Sequence, residues 1–579
     1  MKKKSIKYLI ISCIGTALLG CLTACGGNRT PDLSTLSVPE NVKFSIEYEN
    51  NQTKWLLHWE TVENAKGYEI TVVETEKSYF VEEQASVYDL TSVLDKAGNY
   101  NLSIQAIGNG RNTEDSEKVT IEINAESVTE SLEYTYDPKL GGYEISKGTA
   151  DLKGRLVLPD LYEGEEVISI GESAFGFVRG LGLSRPQLDT ISVRLPKFLI
   201  TIKKDAFFYC EKLEEVAFYD KLESIEQNAF EKCKTLKTVN GSENLKSFGL
   251  GAFRDCESLS SVSISAEEVI IDDFSFKNCK NLDNLMINGS VAYMGENVFT
   301  GTKWYDNQPN GYIYIQNVLY GYKGEMPVGT EIFEFPSYIT TMAGKAFYEC
   351  KNLKSVKIPD GWTTIGGEHV FGFCKELEEV ILPDGMEEIP RGTFTHCTVL
   401  ETINTPGALK KIRGGAFYYC ENLKDFEFNN GLEEICDSAF SGCKSIEEVV
   451  LPDSVKTVGQ GVFVSCKMLS AVRLSKELET IPNSLFNNCK SLKSIIIPSK
   501  VKKIGFETFA YCENLETVEF EQGSQLESIE DGIFMACENL KEIIFNGTKE
   551  EWNSVSKHKD WNVEMPTIIV RCTDGDVTL

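Results

Sequence analysis

The stretch LKKIRGGAFYYCENLKDFEF, residues 409–428, carries the pattern that decides the fold. It is one copy of the unit Leu-x-x-Ile-x-x-x-x-Phe-x-x-Cys-x-x-Leu-x-x-Val-x-Leu, with other apolar residues substituting at the last positions. Most successive copies are 23 residues apart. A constant period in the low twenties predicts a solenoid. The phenylalanine of the unit recurs at Phe175, Phe207, Phe230, Phe253, Phe276, Phe299, Phe347, Phe371, Phe394, Phe417, Phe440, Phe463, Phe486, Phe509 and Phe534.

Each unit predicts one coil of this solenoid. It contains one short strand, such as residues 353–358, and a turn or short helix around Ala346-Phe347. A single coil cannot bury its Leu, Ile, Val and Phe side chains, whereas stacked coils share a continuous core. We therefore predict a mainly β chain whose residues 167–545 form a solenoid of about fifteen coils with short strands and short helical turns.

The repeats resemble those of a known family. The hallmark Ile-Gly-x-x-Ala-Phe-x-x-Cys-x-x-Leu occurs around Ile170-Gly171 without its cysteine, and close copies surround Cys210, Cys350 and Cys420. These residues are similar to the BspA-type (treponemal-type) leucine-rich repeat. The resemblance implies a leucine-rich-repeat solenoid on a cell surface that adheres to host or neighbouring-cell proteins.

Four segments depart from the repeat. Residues 126–166 are expected to cap the first coil, and residues 546–579 the last, with Trp552 and Trp561 over its open end. A loop at 179–187 widens one interval, and residues 303–335 predict an aromatic-rich hairpin insertion where one copy has lost its Phe and Cys.

The N-terminus predicts export. Residues 1–24 begin with four lysines and continue as an uncharged apolar run, the layout of a signal peptide. The ending Leu22-Thr23-Ala24-Cys25 resembles the bacterial lipoprotein signal, which implies cleavage before Cys25 and attachment of lipid to it. Residues 25–34 then form a tether that anchors the chain to the outer face of a bacterial membrane. An uncleaved anchor helix is the alternative.

Residues 35–125 alternate apolar and polar residues in short runs, which predicts a β-sandwich. They look like a fibronectin type III domain. The resemblance makes Trp59 the core aromatic residue and Tyr100 the corner tyrosine. We expect this domain to be a spacer.

Thirteen cysteines share one phase, three residues after the phenylalanine, and should form one row along the solenoid. Side chains in a parallel row point the same way, which disfavours disulfides between them, and a straight row cannot place four thiolates around zinc. We interpret them as buried thiols acting as small hydrophobic groups. They are Cys210, Cys233, Cys256, Cys279, Cys350, Cys374, Cys397, Cys420, Cys443, Cys466, Cys489, Cys512 and Cys537.

Composition and motifs argue against several classes of function. The 58 basic and 87 acidic residues give a net charge of −29, which disfavours binding to nucleic acid. Acidic pairs such as Glu378-Glu379 and Glu387-Glu388 could imitate a glycosidase dyad, but they recur with the repeat and are interpreted as solvated surface. His396 beside Cys397 is interpreted as structural. We expect no catalytic residue, no metal site and no cofactor.

Recognition by a surface is the remaining route to function. In each Leu-x-x-Val-x-Leu strand, the residue between the last two core positions should face outward. Nine of these residues are the candidate ligand-binding positions, and we call them the strand surface: Met286, Lys357, Ile381, Glu427, Val450, Arg473, Ile496, Glu519 and Ile544. Aromatic residues beside the cysteine row form a second candidate, which we expect mainly to cover the turns: Phe208, Tyr209, Tyr348, Phe373, Tyr418, Tyr419 and Tyr511.

The sequence thus predicts a lipid-anchored surface protein that binds an extracellular protein through its solenoid. Two alternatives stay open. The chain could capture glycans at the cell surface, or it could be a structural surface protein without a defined ligand.

Overall fold

The computed structural model describes residues 33–94, 96–177 and 189–579. The predicted signal peptide, Cys25 and the loop at 179–187 therefore lie outside the described residues. The chain divides into two compact units, one containing residues 33–44 and 55–125 and the other residues 45–54 and 126–579. Among the described residues, no helix combines the length and the apolar character needed to cross a membrane.

The first unit is made mainly of antiparallel strands, and Ser34–Thr35 pairs in parallel with Thr113–Glu114. Four of them form one sheet in the order Lys77–Glu82, Gly67–Val72, Gly98–Ile107 and Val119–Ala125. Gln52–His58 pairs with Val87–Asp89 in another sheet. The remaining strands from this part of the chain are Ser34–Thr35, Lys43–Glu49 and Thr113–Glu114.

The coils of the second unit contain two strands, where the sequence indicated one. The additional strand is the Leu-x-x-Ile segment, which is often only two residues long and therefore gives no alternating pattern. It pairs in parallel with the same segment of the next coil, as Lys411 and Ile412 do with Glu434 and Ile435. We call this segment the first strand of a coil, and the Leu-x-x-Val-x-Leu segment the second strand.

The first strands, together with the strands that continue their ladder at the hairpin and at the ends of the solenoid, are Glu165–Ile170, Thr201–Ile202, Ser224–Ile225, Ser247–Phe248, Val269–Ile271, Val291–Met294, Val318–Lys323, Thr341–Met342, Glu388–Ile389, Lys411–Ile412, Glu434–Ile435, Thr457–Val458, Thr480–Ile481, Lys503–Ile504, Ser528–Ile529 and Ser556–Lys557. The second strands, together with the strands that pair with them at the ends of the solenoid, are Lys153–Val157, Asp189–Arg194, Glu215–Val216, Thr238–Asn240, Ser261–Ile264, Asn284–Ile287, Thr330–Ile332, Leu353–Lys357, Glu379–Ile381, Thr402–Ile403, Glu448–Val450, Ala471–Arg473, Ser494–Ile497, Thr517–Phe520, Glu542–Phe545, Ile569–Cys572 and Gly575–Thr578.

A tight turn around the phenylalanine joins the two strands of each coil and is hydrogen-bonded to the turn of the next coil. The N–H groups of Gly415, Phe417 and Tyr419 donate to the carbonyls of Asp437, Ala439 and Ser441 at 3.0, 2.8 and 2.8 Å. The same three donations recur between coils from Ser173 to Tyr511, except where the hairpin interrupts the stack. Three columns of peptide groups therefore run along the solenoid, with every N–H pointing toward the C-terminal end.

This turn requires unusual backbone conformations. The residue two positions before the phenylalanine has a positive φ in all fifteen coils, as at Gly415 (61°) and Ser438 (56°). The residue two positions after it also has a positive φ in fourteen of them. Many of these residues are not glycine, so each turn carries a conformational cost that the hydrogen bonds between coils offset.

The phenylalanines and cysteines form two buried columns beside this turn. Successive rings in each run stack with centroids 5.0–5.9 Å apart and planes within 21° of parallel. None of the cysteines from Cys210 to Cys572 forms a disulfide in the described structure. Burial raises the pKa of their thiols, to about 12 at Cys210.

The cysteines do more than fill space. Twelve of the thirteen thiols donate a hydrogen bond of 3.0–3.4 Å to the carbonyl of the phenylalanine in the preceding coil. Cys420 Sγ, for example, donates to Phe394 O at 3.0 Å, and the same oxygen accepts from Cys397 N. The interpretation of the cysteines as hydrophobic groups alone was thus incomplete, because thiols such as that of Cys420 add a second hydrogen bond to a buried carbonyl.

The repeat is interrupted between Phe299 and Phe347. A short helix, Lys303–Asp306, precedes an antiparallel hairpin formed by Gly311–Ile315 and Val318–Lys323. The Tyr320 hydroxyl accepts from Phe299 N at 2.8 Å, in the place where another coil would supply a carbonyl. The hairpin therefore supplies a side-chain acceptor for Phe299 N where the carbonyl acceptor of a further coil is missing.

Additional elements cover both ends of the solenoid. At the N-terminal end, Glu133–Asp137 and Gly142–Ser146 form a hairpin. Gly142–Ser146 pairs in parallel with Glu165–Ile170, and Leu161–Tyr162 pairs antiparallel with the same strand. At the C-terminal end, the helix Lys549–Ser554 buries Trp552 against Phe520, Phe545 and Trp561.

The acidic pairs lie on the outer surface with basic partners from neighbouring coils. Glu378 lies 3.7 Å from Lys354, and Glu387 lies 3.1 Å from Lys410. Such exposed ion pairs are each worth little, about 0.2–1 kcal/mol. Because these pairs recur along the solenoid, acidic side chains of one coil lie beside basic side chains of a neighbouring coil.

A pair of substitutions tests the hydrogen-bonding role of the cysteine row. We expect Cys420→Ser to destabilise the solenoid less than Cys420→Ala, because serine keeps a donor for Phe394 O whereas alanine leaves that oxygen one bond short. The alanine variant should lose about 1–3 kcal/mol. The midpoints of urea unfolding measure the order; alanine tolerated better than serine would mean that the thiol acts only as a hydrophobic group.

Candidate binding surfaces

The second strands place the strand surface on the outside of the coils. Met286, Val450 and Ile496 are 47%, 44% and 52% exposed. Glu427 and Arg473 are exposed as well. The other four positions are half-buried: Lys357, Ile381, Glu519 and Ile544. All nine residues therefore reach the surface to some degree.

Parallel pairing brings several of these residues side by side. Lys357 pairs with Ile381, Val450 with Arg473, and Glu519 with both Ile496 and Ile544. Met286 belongs to a separate three-stranded segment on the other side of the hairpin. Glu427 lies outside the regular strands.

The charged members are held by local contacts. The Arg473 guanidinium donates to Leu451 O and to Asp453 Oδ1, both at 3.0 Å. Glu519 Oε1 accepts from Asn546 Nδ2 at 2.9 Å. Apolar and charged side chains alternate along the surface, so it presents a mixed, ordered face and not one continuous apolar patch.

A second surface lies along the turns, where aromatic side chains stack from coil to coil. The Phe373 and His396 rings are 4.3 Å apart at 6°, and the His396 and Tyr419 rings are 5.2 Å apart at 3°. The Tyr418 ring makes edge-to-face contacts with both His396 and Tyr419. All four rings are half-buried. They cover the turns, as expected, and still offer ring surface to solvent.

Beside these rings lies a groove with a volume of about 580 Å³, which we call the turn groove. It is lined by His369, Arg391, Gly414, Gly415, Tyr418, Asp437 and Ser438, among others. This groove was not among the sites predicted from the sequence. The available signal was the Gly414-Gly415 pair, which stands where the next coil carries Asp437-Ser438.

The structure separates His396 from Cys397. The Cys397 thiol is fully buried and donates to Phe371 O at 3.1 Å, whereas the His396 ring lies on the outside between Phe373 and Tyr419. Burial raises the pKa of the Cys397 thiol well above its ordinary value. The pair is therefore not arranged as a nucleophile and its base.

A family model described as the BspA type leucine rich repeat region matches residues 187–305, 329–447 and 433–556. The chain belongs to this family. Proteins with BspA-type repeats are typically found on the cell surface, their solenoids are generally not enzymes, and the family indicates a role in recognition or protein interaction.

Several solved structures are similar to this BspA-type chain. A leucine-rich repeat protein from Bacteroides ovatus is 19% identical over 77% of this chain and 99% of its own, with a TM-score of 0.36. A leucine rich cell surface protein from Faecalibacterium prausnitzii is 21% identical over 74% and 96%, with a TM-score of 0.29. The T. pallidum leucine rich repeat protein is 30% identical over 34% and 82%, with a TM-score of 0.25. The comparison with curated proteins gave no match.

Substitutions at two adjacent residues of one second strand test which side chains face outward. We expect Ile496→Glu to change the free energy of unfolding by no more than about 0.5 kcal/mol, since the side chain is exposed. Ile495→Glu should cost about 4 kcal/mol or more, because Ile495 is 2% exposed and a carboxylate there would have no partner. Urea unfolding measures both; equal losses would mean that the strand is oriented differently.

Proposed function

We propose that the protein is a lipid-anchored recognition protein of the bacterial cell surface, and that its solenoid binds host or neighbouring-cell proteins through the strand surface. The observation that carries this proposal is the contrast between neighbours in the same strand. Val449 and Ile495 are buried, whereas Val450 and Ile496 are exposed although no packing within the coil requires an apolar residue there. Held at fixed positions among polar side chains, these exposed apolar side chains supply the apolar contacts of a mixed partner site.

The character of the strand surface favours a protein as the partner. Val450 adjoins Arg473, and Ile496 and Ile544 flank Glu519, so apolar contacts are interleaved with fixed charges. Interfaces between proteins combine apolar and polar contacts in this way. The parallel pairing also holds the side chains in place before binding, which lowers the entropy cost of association.

The N-terminal part would attach and extend the solenoid. Residues 1–25 supply the signal and the lipidated Cys25, and residues 35–125 a fibronectin type III-like spacer. Two features of the first unit support the spacer: Trp59 is buried with its ring 5.1 Å from Tyr68, and the Tyr100 hydroxyl donates to Lys96 O at 2.9 Å. The second contact is the one that a corner tyrosine makes in such sandwiches.

Lipid attachment is tested at the N-terminus. We expect Cys25→Ser to abolish incorporation of labelled fatty acid and to move the protein from the detergent phase to the aqueous phase, since the sulfur that would carry lipid is lost. Cys21→Ser is the matched control and should leave both properties unchanged. Labelling that persists in Cys25→Ser would refute the proposed anchor.

Binding through the strand surface is tested with the full chain against a panel of immobilised extracellular-matrix proteins. We expect binding to at least one of them, and a loss of affinity of tenfold or more in the double variant Val450→Glu, Ile496→Glu. Phe506→Glu is the control, because Phe506 is also an exposed apolar residue but lies on the turn side of its coil. No binding to any panel member, or equal binding by the double variant, would contradict the proposal.

A further inference from the structure

The turn groove exists because two consecutive residues lack side chains. A Cβ atom built on Gly414 would come within 4 Å of Asp437 O alone, at 3.3 Å, and one on Gly415 would come within 4 Å only of Tyr418 Cβ, at 3.7 Å. The space above the pair is thus not occupied by packing from the adjacent coils. By contrast, a Cβ on Gly392 would lie 2.2 Å from the His369 ring, so a side chain there would displace that ring.

One wall of the groove is an aromatic ring held in a fixed orientation. Tyr418 lines the groove, and its ring contacts His396 and Tyr419 edge to face at 5.5 and 4.7 Å. His396 is itself stacked between Phe373 and Tyr419. Because these neighbours restrict the ring, a ligand that packs on Tyr418 does not have to order it.

The lining also carries a carboxylate with a fixed position. Asp437 Oδ1 accepts from Gln460 N at 2.7 Å. This contact depends on Gly459, because a Cβ there would lie 2.4 Å from the same oxygen. The second carboxylate oxygen of Asp437 remains available to accept from a ligand hydroxyl, and Ser438, the next residue in the chain, also lines the groove.

The groove concentrates no single charge. Arg391 and Asp437 are of opposite sign, and Glu434 pairs with Lys411. Burial lowers the pKa of His369, so its imidazole is neutral near pH 7. A phosphate or polyanionic ligand would need clustered cations, and an apolar peptide segment would need an apolar pocket. The lining instead offers one ring face together with hydroxyl, carboxylate and guanidinium groups.

From this arrangement we infer that the turn groove binds a neutral oligosaccharide. The apolar C–H face of a sugar ring packs on Tyr418, and its hydroxyl groups exchange hydrogen bonds with Asp437, Ser438 and Arg391. Sugars combine an apolar ring face with closely spaced hydroxyls. This groove offers an aromatic ring for the apolar face and hydrogen-bonding side chains for the hydroxyls. The site is on the turn side of the coils and does not depend on a protein ligand of the strand surface.

Isothermal titration of the full chain with malto-, cello- and manno-oligosaccharides of about three to six sugars tests this inference. We expect at least one series to bind. Tyr418→Ala should weaken that binding tenfold or more, because the stacking face is lost. Gly414→Leu should do the same by filling the groove, and it avoids the positive φ of Gly415.

Two control variants separate loss of the site from loss of the fold. Tyr511→Ala removes an exposed tyrosine from a later turn, and Gly385→Leu adds a side chain where no atom lies within 4 Å. Both should keep affinity within twofold. The inference fails if no series binds at millimolar concentration, if a uronic-acid oligosaccharide binds better than the neutral ones, or if both groove variants bind like the unaltered chain.

Discussion

The columns of peptide hydrogen bonds between successive turns are the constraint on which this structure depends. Outside the hairpin, the turns from Ser173 to Tyr511 each donate three N–H groups to the next coil, so these coils do not satisfy their own backbone. The peptide dipoles in these columns point the same way and reinforce one another. The C-terminal region continues two of these columns, because Asp560 O and Glu564 O accept from Gly532 N and Ala536 N at 3.1 and 3.3 Å.

The repeated residues follow from this constraint. The turn needs left-handed residues on both sides of the phenylalanine, and it leaves the phenylalanine carbonyl facing the next coil. The cysteine of the next coil supplies an S–H group of the right size for that carbonyl, as Cys420 does for Phe394. A longer donor would disturb the packing of the rings, and a residue without a donor would leave the oxygen one bond short.

The same rigidity explains how the surfaces can differ from coil to coil. Since the inner residues and the backbone hold the coils in register, the outer positions are free to vary without changing the fold. Two glycines in a row at Gly414-Gly415 are enough to open a groove, because the coils on either side stay in place. On the strand side, Val450 in one coil is followed by Arg473 at the same position of the next coil. The surface changes from apolar to charged there, while the parallel strand pairing is unchanged.

The amino-acid sequence by itself determined the solenoid, its period and the inward or outward direction of the second strand, because these follow from the spacing of apolar residues such as Ile495 and Ile497 around Ile496. It could not reveal the first strand, whose two residues are too short to show a period, or the donation from Cys420 to Phe394, which joins residues 26 apart. The turn groove was decided by tertiary structure alone. Its ring and its empty space come from one coil and its carboxylate from the next, and only stacking in register brings them into one volume.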